Sequence, residues 1–333
     1  MEKTIHETLR NKWTFDKAMP IQEQMIPLMR DGKDIVAESP TGTGKTLAFV
    51  IPMIERMLTV ENKTAALILT PSQELSMQIV EVIREWTVGT PVKVAQLIGG
   101  ANKKRQYEAL KKKPQIVVGT PGRMNELIRE KKLKMHDIEM IVLDEGDQLL
   151  ARDYRVIVKS IIESALRDVQ IVVVSATITE EIEVVAERML KNPAQIKVEP
   201  QDLPAEGKIV HSYVKAEERD KLTVIRGLAA LPGMHAIAFI NNIDQLMIKE
   251  AQLSFVNSPI GLLYGNMSKK DRTDTLRDFR NGKLKILLAT DLAARGLDVK
   301  GMTHVIHFNV PHSVEQYVHR SGRTGRAGED GEV

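Results

Sequence analysis

Ser39-Pro40-Thr41-Gly42-Thr43-Gly44-Lys45-Thr46 follows the apolar run Ile35-Val36-Ala37 and leads into a helical-looking stretch from Leu47 to Leu58. A strand, a glycine-rich turn and a helix in that order fit the phosphate-loop pattern G-x-x-x-x-G-K-[ST], with Ser39 in the place of the first glycine. Glycines let backbone N–H groups converge on phosphate oxygens, and the following helix aims its positive N-terminus at them. Thr41, Gly42, Thr43 and Gly44 would line that cradle. Lys45 would reach the β and γ phosphates, and the Thr46 hydroxyl would ligate Mg²⁺. Taken alone, the loop specifies only a nucleoside triphosphate.

Outward from the loop, short β-branched runs recur between amphipathic stretches: Ala65 to Leu69, Val92 to Leu97, Ile116 to Val118, Met140 to Leu143 and Ile171 to Val174. Continuous apolar runs of this kind predict strands of a parallel sheet buried on both faces, with helices as crossovers. The pattern restarts with Ile209 to Val214, Ala236 to Ile240, Ile260 to Tyr264, Ile286 to Ala289 and His304 to Phe308. Between the two series, residues 199–207 are polar, with two prolines and a glycine, and can continue neither a helix nor a central strand. The expectation is α/β throughout: two tandem doubly wound parallel-sheet domains, residues 1–198 and 208–333, joined by the linker 199–207. Lys111-Lys112-Lys113, next to Pro114, reads as a solvated helix end.

The chain has 333 residues, enough for two cores, and 47 Lys plus Arg against 44 Asp plus Glu give a net charge of only +3. An anionic partner must therefore be met by a local patch. The absence of cysteine excludes disulfides, thiolate metal sites and cysteine nucleophiles. Neither a leader peptide nor a run of ~20 apolar residues is present, so a soluble cytoplasmic monomer is expected. With six Phe, five Tyr and two Trp, the chain lacks a broad base-stacking platform; nucleic acid, if bound, would be held by its backbone.

A phosphate loop needs an acid at the end of a neighbouring strand, and Met140 to Leu143 runs into Asp144-Glu145-Gly146-Asp147. Asp144 would hold Mg²⁺, and Glu145 could orient or deprotonate the attacking water. Together with Ser175-Ala176-Thr177 and His319-Arg320-Ser321-Gly322-Arg323-Thr324-Gly325-Arg326, these residues give a chain that resembles the DEAD-box RNA helicases. Further stretches resemble that family in its own order: Pro20-Ile21-Gln22, Thr70-Pro71-Ser72-Gln73-Glu74-Leu75, Gly99-Gly100, Thr120-Pro121-Gly122-Arg123, and Ala289 through Asp298.

The resemblance covers nearly the whole chain and implies two RecA-like domains and an RNA-dependent ATPase that locally and non-processively unwinds or remodels RNA duplexes. A non-catalytic ATP-gated RNA clamp or scaffold and a DNA translocase are the alternatives. It also implies that Gln22 reads the adenine edge, that Phe15 stacks on the ring, that Asp298 helps to bind nucleotide, and that Asp147, Ser175, Thr177, Arg320 and His319 couple the ATP site to the RNA site, with His319 facing Asp147. Arg320, Arg323 and Arg326 would form a dense positive surface facing the γ-phosphate, with Arg323 and Arg326 as arginine fingers once the domains close. Pro71, Gly100, Thr120, Gly122, Arg123, Gly265 and Thr290 would contact RNA through backbone N–H groups and small polar side chains, without reading sequence. The sequence departs from the family pattern at Gln73, where arginine is usual, at Gly146, where alanine is, and at Lys269, where glutamine is. The chain ends at Gly331-Glu332-Val333, where the family begins a further strand, so a shortened chain whose second sheet has lost an edge strand is expected.

Overall fold

A computed structural model describes residues 6–15, 17–202, 208–254, 258–265, 267–294, 301–325 and 330–333. The chain divides into two compact units, Met1–Leu203 and Pro204–Val333.

The first unit is a seven-stranded sheet of β1 (Ile35–Glu38), β2 (Ala66–Leu69), β3 (Val94–Leu97), β4 (Ile116–Gly119), β5 (Met140–Asp144), β6 (Gln170–Ser175) and β7 (Ala194–Lys197), in the order β3-β4-β2-β5-β6-β1-β7. Every pairing is parallel. The strands read as unbroken apolar runs because alternate residues feed two cores. Ile35, Ala37, Ala66 and Ile68 pack with helices Pro20–Arg30, Lys45–Met57 and Gln73–Thr87, whereas Val36, Leu67 and Leu69 pack with helices Pro121–Arg129, Arg152–Glu163 and Glu180–Met189. Helices following β1 and β6 thus lie on opposite faces, which opens a crevice at the carboxyl ends of these neighbours. The phosphate loop occupies it. At the amino end of the unit, buried Leu9 and Trp13 join the first core, and Lys12 Nζ donates to the Glu85 and Val88 carbonyls at 2.9 and 2.7 Å, capping helix Gln73–Thr87.

The second unit is a six-stranded parallel sheet of β8 (Ile209–Val210), β9 (Ala236–Phe239), β10 (Ile260–Leu263), β11 (Ile286–Ala289), β12 (His304–His307) and β13 (Gly331–Glu332), ordered β10-β11-β9-β12-β13-β8. Helices Lys221–Ala229 and Ile243–Ser254 cover one face and helix Lys269–Arg280 the other, again with alternate strand residues divided between two cores.

Two expectations need correction, and one strand has no counterpart among the apolar runs. β7 has a single buried residue, Ile196, so it produces no apolar run. β8 stops at Val210, leaving Tyr213 and Val214 exposed, because apolar residues alone do not supply a pairing partner. The terminal Gly331–Glu332 does pair, parallel to both β12 and β8, so these residues form a strand inside the sheet, not a lost edge. Among the described residues no helix is long and apolar enough to cross a membrane.

Candidate functional site

The phosphate loop is held shut by its own hydroxyls. Ser39, buried at the first-glycine position, has its Oγ 2.6 Å from Thr43 Oγ1, and Thr43 Oγ1 donates to the Pro40 carbonyl at 2.8 Å. A glycine there would lack this clamp, which gives the departure a physical reason. Lys45 Nζ donates to the carbonyl oxygens of Ser39 and Pro40 at 2.5 and 2.6 Å, so its ammonium sits over the loop. Gly42 and Gly44 both have φ of +82°, the left-handed region that glycine enters without strain.

Gln22 is 3 % exposed and serves this loop. Its Oε1 accepts from the Met19 N–H at 2.9 Å, and its Nε2 donates to the Gly44 carbonyl at 3.2 Å. Phe15 is half-exposed and lies edge-on to Trp13 with ring centroids 5.2 Å apart.

β5 carries Asp144 into the interior at its carboxyl end. Burial pushes this carboxyl up to about 7, the charge of Glu145 adds to the rise, and the Lys45 ammonium opposes it. Glu145 adopts left-handed φ and ψ of 56° and 55°, a conformation costing a non-glycine residue roughly 1–3 kcal/mol, and its Oε2 accepts from Gln148 Nε2 at 2.8 Å. The strain turns the chain sharply out of β5. Asp147 then meets the next strand: Ser175 Oγ donates to Asp147 Oδ1 at 2.7 Å, and the Ser175 carbonyl accepts from the Ser39 N–H at 3.1 Å. Ser175 therefore ties the acidic turn to the phosphate loop. Thr177 follows β6 at the same edge.

The RNA candidates of this unit stand on the other half of the rim. Pro71 follows β2, Gly100 follows β3, and Thr120, Gly122 and Arg123 follow β4. Thr120 donates its N–H to the Leu97 carbonyl at 3.2 Å, drawing two of these loops together. Arg123 Nε lies 2.8 Å from Glu126 Oε2, an ion pair not aligned for a hydrogen bond, and its Nη1 donates to the Ala101 carbonyl at 3.5 Å. Gln73, where the family has arginine, directs its amide at the Gly99–Gly100 turn.

In the second unit, Gly265 and Thr290 lie at the carboxyl ends of β10 and β11. Arg320 does not join the expected positive surface. It is 1 % exposed, with Nε and Nη2 donating to Asp291 at 2.7 and 2.5 Å, Nη2 also to Asn241 Oδ1 at 2.6 Å and Nη1 to the Asn309 carbonyl at 3.0 Å. A guanidinium so neutralised contributes to no positive surface. Helix Val314–Ser321 ends one residue later, so the three-residue arginine spacing does not continue along it. His319 is half-buried on that helix and Arg323 half-buried just beyond it; Asp298 and Arg326 lie outside the described residues. Beside Arg320, burial first and the Arg320 charge second push His307 down to about 4; Asp291 opposes this and His211 reinforces it. Both ring nitrogens of His307 are buried and unpartnered among the described residues, and the ring stacks on Tyr317 at 4.9 Å.

Sequence reasoning missed the roles of Ser39 and Gln22 inside the loop, and no local signal carried them, since both depend on tertiary contact. It also gave no reason for Gly146. A Cβ there would lie 2.4 Å from Val173 Cγ1, so alanine would be forced against a β-branched strand residue.

Residues 19–185 match the DEAD/DEAH box helicase family and residues 220–328 the helicase conserved C-terminal domain. The chain is 46 % identical to the probable ATP-dependent RNA helicase YfmL of Bacillus subtilis, over 96 % of this chain and 84 % of that protein. It is 43 % identical to the DEAD-box ATP-dependent RNA helicase CshC of Bacillus cereus, over 100 % and 86 %. Its fold is similar to that of S. cerevisiae Dbp5 bound to RNA and ADP BeF3, with a TM-score of 0.85, 26 % identity, and coverage of 99 % of this chain and 87 % of that one.

Two outcomes follow from this geometry. Gly146→Ala lowers stability by about 1–3 kcal/mol in thermal melts through overpacking, and the loss shrinks in a Val173→Ala background, giving a favourable coupling in the double-mutant cycle. The folded His307 binds its proton less readily than the unfolded chain, whose imidazole titrates near 6.5. Its contribution is therefore intact above that pH and is lost as pH falls towards 4, so between about pH 7 and about pH 5 the melting temperature drops less in His307→Phe than in the unaltered protein.

Proposed function

The chain belongs to the DEAD-box family of ATP-dependent RNA helicases, and on that footing we propose how its own residues carry out RNA-dependent ATP hydrolysis and the local remodelling of RNA duplexes. The carrying observation is that the phosphate loop, the buried Asp144, the strained Glu145 and the Ser175–Asp147 bond meet at the carboxyl-end rim of one sheet, next to the loops bearing Pro71, Gly100 and Thr120.

The triphosphate lies in the loop from Thr41 to Thr46, with Gln22 and Phe15 on the adenine side. Lys45 leaves the Ser39 and Pro40 carbonyls for the β and γ phosphates. This exchange is favourable because a phosphate oxygen is a charged acceptor and a carbonyl is not. Thr46 and Asp144 suit Mg²⁺: both offer hard oxygen atoms, Asp144 is a buried carboxylate, and Mg²⁺ takes only one or two protein carboxylates together with substrate phosphates. When bound, Mg²⁺ neutralises charge that develops on the phosphate oxygens.

Glu145, aimed by its left-handed backbone and by Gln148, accepts a proton from the attacking water. The new bond joins water oxygen to the γ-phosphorus, and the bond from that phosphorus to the β–γ bridging oxygen breaks, leaving ADP and phosphate. Arg323 and Arg326 supply positive charge to the transition state from the second unit when the two units close on ATP and RNA together. In this reading Arg320 acts through Asp291 as a positioning residue, and His319, Asp147, Ser175 and Thr177 link the sites, while Asp298 contacts the nucleotide.

RNA is gripped through phosphates and 2′-hydroxyls by Pro71, Gly100, Thr120, Gly122, Arg123, Gly265 and Thr290. Glycine turns and helix N-termini favour the backbone over base edges, so binding is independent of sequence. A monomer acting in the cytoplasm fits a cysteine-free chain with no helix long and apolar enough for a membrane among its described residues.

Glu145→Gln retains binding of ATP and RNA and loses about 10²–10⁴-fold in phosphate release, measured with and without RNA. Turnover equal to that of the unaltered protein would remove Glu145 from the role of base.

A further inference from the structure

Residues 103–113 and 129–134 carry ten Lys and Arg against two Glu, in a chain whose formal net charge is only +3. The rest of the molecule is therefore net acidic, and the excess positive charge sits on two segments of the first unit. These are neighbours in space. Lys103, on the first turn of helix Lys103–Lys111, pairs with both Glu126 and Glu130 of the segment that begins with helix Pro121–Arg129. The Tyr107 hydroxyl donates to Glu130, and Lys132 Nζ stands 5.7 Å from the Tyr107 ring centroid.

The carboxylates at this seam are thus spent on Lys103, Tyr107 and Arg123. Lys104, Arg105, Lys112, Lys113, Lys131 and Lys134 are exposed, and among the described residues none of them has a carboxylate at ion-pair distance. Crowding like charges destabilises a fold. Two of these lysines carry a further cost: Lys113 and Lys131, each just past a helix end, have left-handed φ of 48° and 57°. Glycine takes that conformation freely, while a residue with a Cβ loses roughly 1–2 kcal/mol. The helix dipole rewards one cation at each helix end but not this number. Charge kept against both electrostatic and conformational cost indicates an anion opposite.

We propose that this outer surface is an auxiliary phosphate-binding face that holds the backbone of duplex RNA beyond the strand-end track. The inference rests on the RNA-dependent reading above. Both helices start at the rim, one after Gly99–Gly100 and the other at Thr120, so the face continues directly from loops assigned to RNA and runs about 13 Å down helix Lys103–Lys111. A protein partner needs aromatic or aliphatic anchors at its contact centre, and no large hydrophobic side chain between Val88 and Val156 is exposed among the described residues. Flexible cations without apolar anchors suit phosphates.

The test replaces Lys104, Arg105, Lys131 and Lys134 together with glutamine and compares two RNAs, a short single strand and the same strand joined to a hairpin duplex. Anisotropy binding across a salt series and RNA-stimulated phosphate release are read for both. For the duplex-bearing RNA, affinity falls about tenfold or more, and the slope of log affinity against log salt shrinks by roughly 2–4, since each lost phosphate contact removes about 0.9. The short strand binds and stimulates within about twofold of the unaltered protein, melting temperature does not fall, and arginine at all four positions restores duplex affinity. Equal losses on both RNAs, unchanged affinity and slope on both, or loss of an acidic protein partner with RNA binding intact would each overturn the proposal. If the unaltered protein shows no RNA stimulation, it is the RNA-dependent reading that fails, and the anisotropy comparison still decides the surface.

Discussion

Parallel pairing is the constraint from which the rest of this molecule follows. Each pairing in both sheets is parallel, so all carboxyl ends in a unit share one rim and each strand must return through a crossover. In the first unit, helices Lys45–Met57, Gln73–Thr87, Lys103–Lys111 and Pro121–Arg129 all begin at that rim, so the positive ends of their dipoles face outward there. A rim of helix N-termini favours anions along its whole length. The strand order then divides it: the triphosphate loop and acids fall on β5, β6 and β1, and the loops suited to a phosphodiester chain fall on β3, β4 and β2.

Buried polar groups show how the two units use charge differently. Arg320 has three acceptor residues and a bidentate carboxylate, so its burial is fully compensated and its geometry fixed. Asp144 is buried with less compensation: Glu145 adds a like charge, and the ammonium of Lys45 is engaged by carbonyls. A carboxyl in that position is a poor contributor to stability and a ready partner for added positive charge. The left-handed Glu145 beside it stores backbone strain at the residue assigned to the water. The first unit thus leaves Asp144 incompletely compensated at the site proposed for the reaction, whereas the second satisfies buried Arg320 while the neighbouring His307 ring stays unpartnered among the described residues.

The sequence revealed what rests on local pattern. Strands buried on both faces, such as Val172 to Val174, announce themselves as unbroken apolar runs; the edge strand β7, with Ile196 alone inside, does not. The phosphate loop was legible because its glycines and lysine are adjacent, and Asp144 because it ends an apolar run. Contacts between distant segments left no such trace. Gln22 reaches Gly44 from another helix, Ser39 replaces a glycine yet acts through Thr43, and Gly146 is set by Val173 across the sheet. The arginine spacing misled for a related reason. It placed Arg320 on a surface, whereas Arg320 turns inward to Asp291, Asn241 and Asn309, segments far from it in sequence or on another strand end; Arg326 lies outside the described residues.

The coupling proposed between ATP and RNA would have a physical basis inside the first unit alone. β2 and β5 are paired in register, Leu69 opposite Leu143, so the turn that starts at Thr70 and Pro71 and the turn that starts at Asp144 leave adjacent strands roughly 4.8 Å apart. The turn at Thr70 is braced by hydroxyls, Thr70 Oγ1 lying 2.5 Å from Ser76 Oγ and donating to the Ser72 carbonyl at 3.0 Å. The turn at Asp144 is braced through Asp147 to Ser175, and from Ser175 to the phosphate loop. A packed sheet does not deform continuously, so a change in charge at Asp144 must be accommodated by these braces. One brace lies in the half proposed for the nucleotide and the other in the half proposed for RNA. Their shared boundary, the β2–β5 pair, is where, on that proposal, occupation of one half would have the shortest route to the geometry of the other.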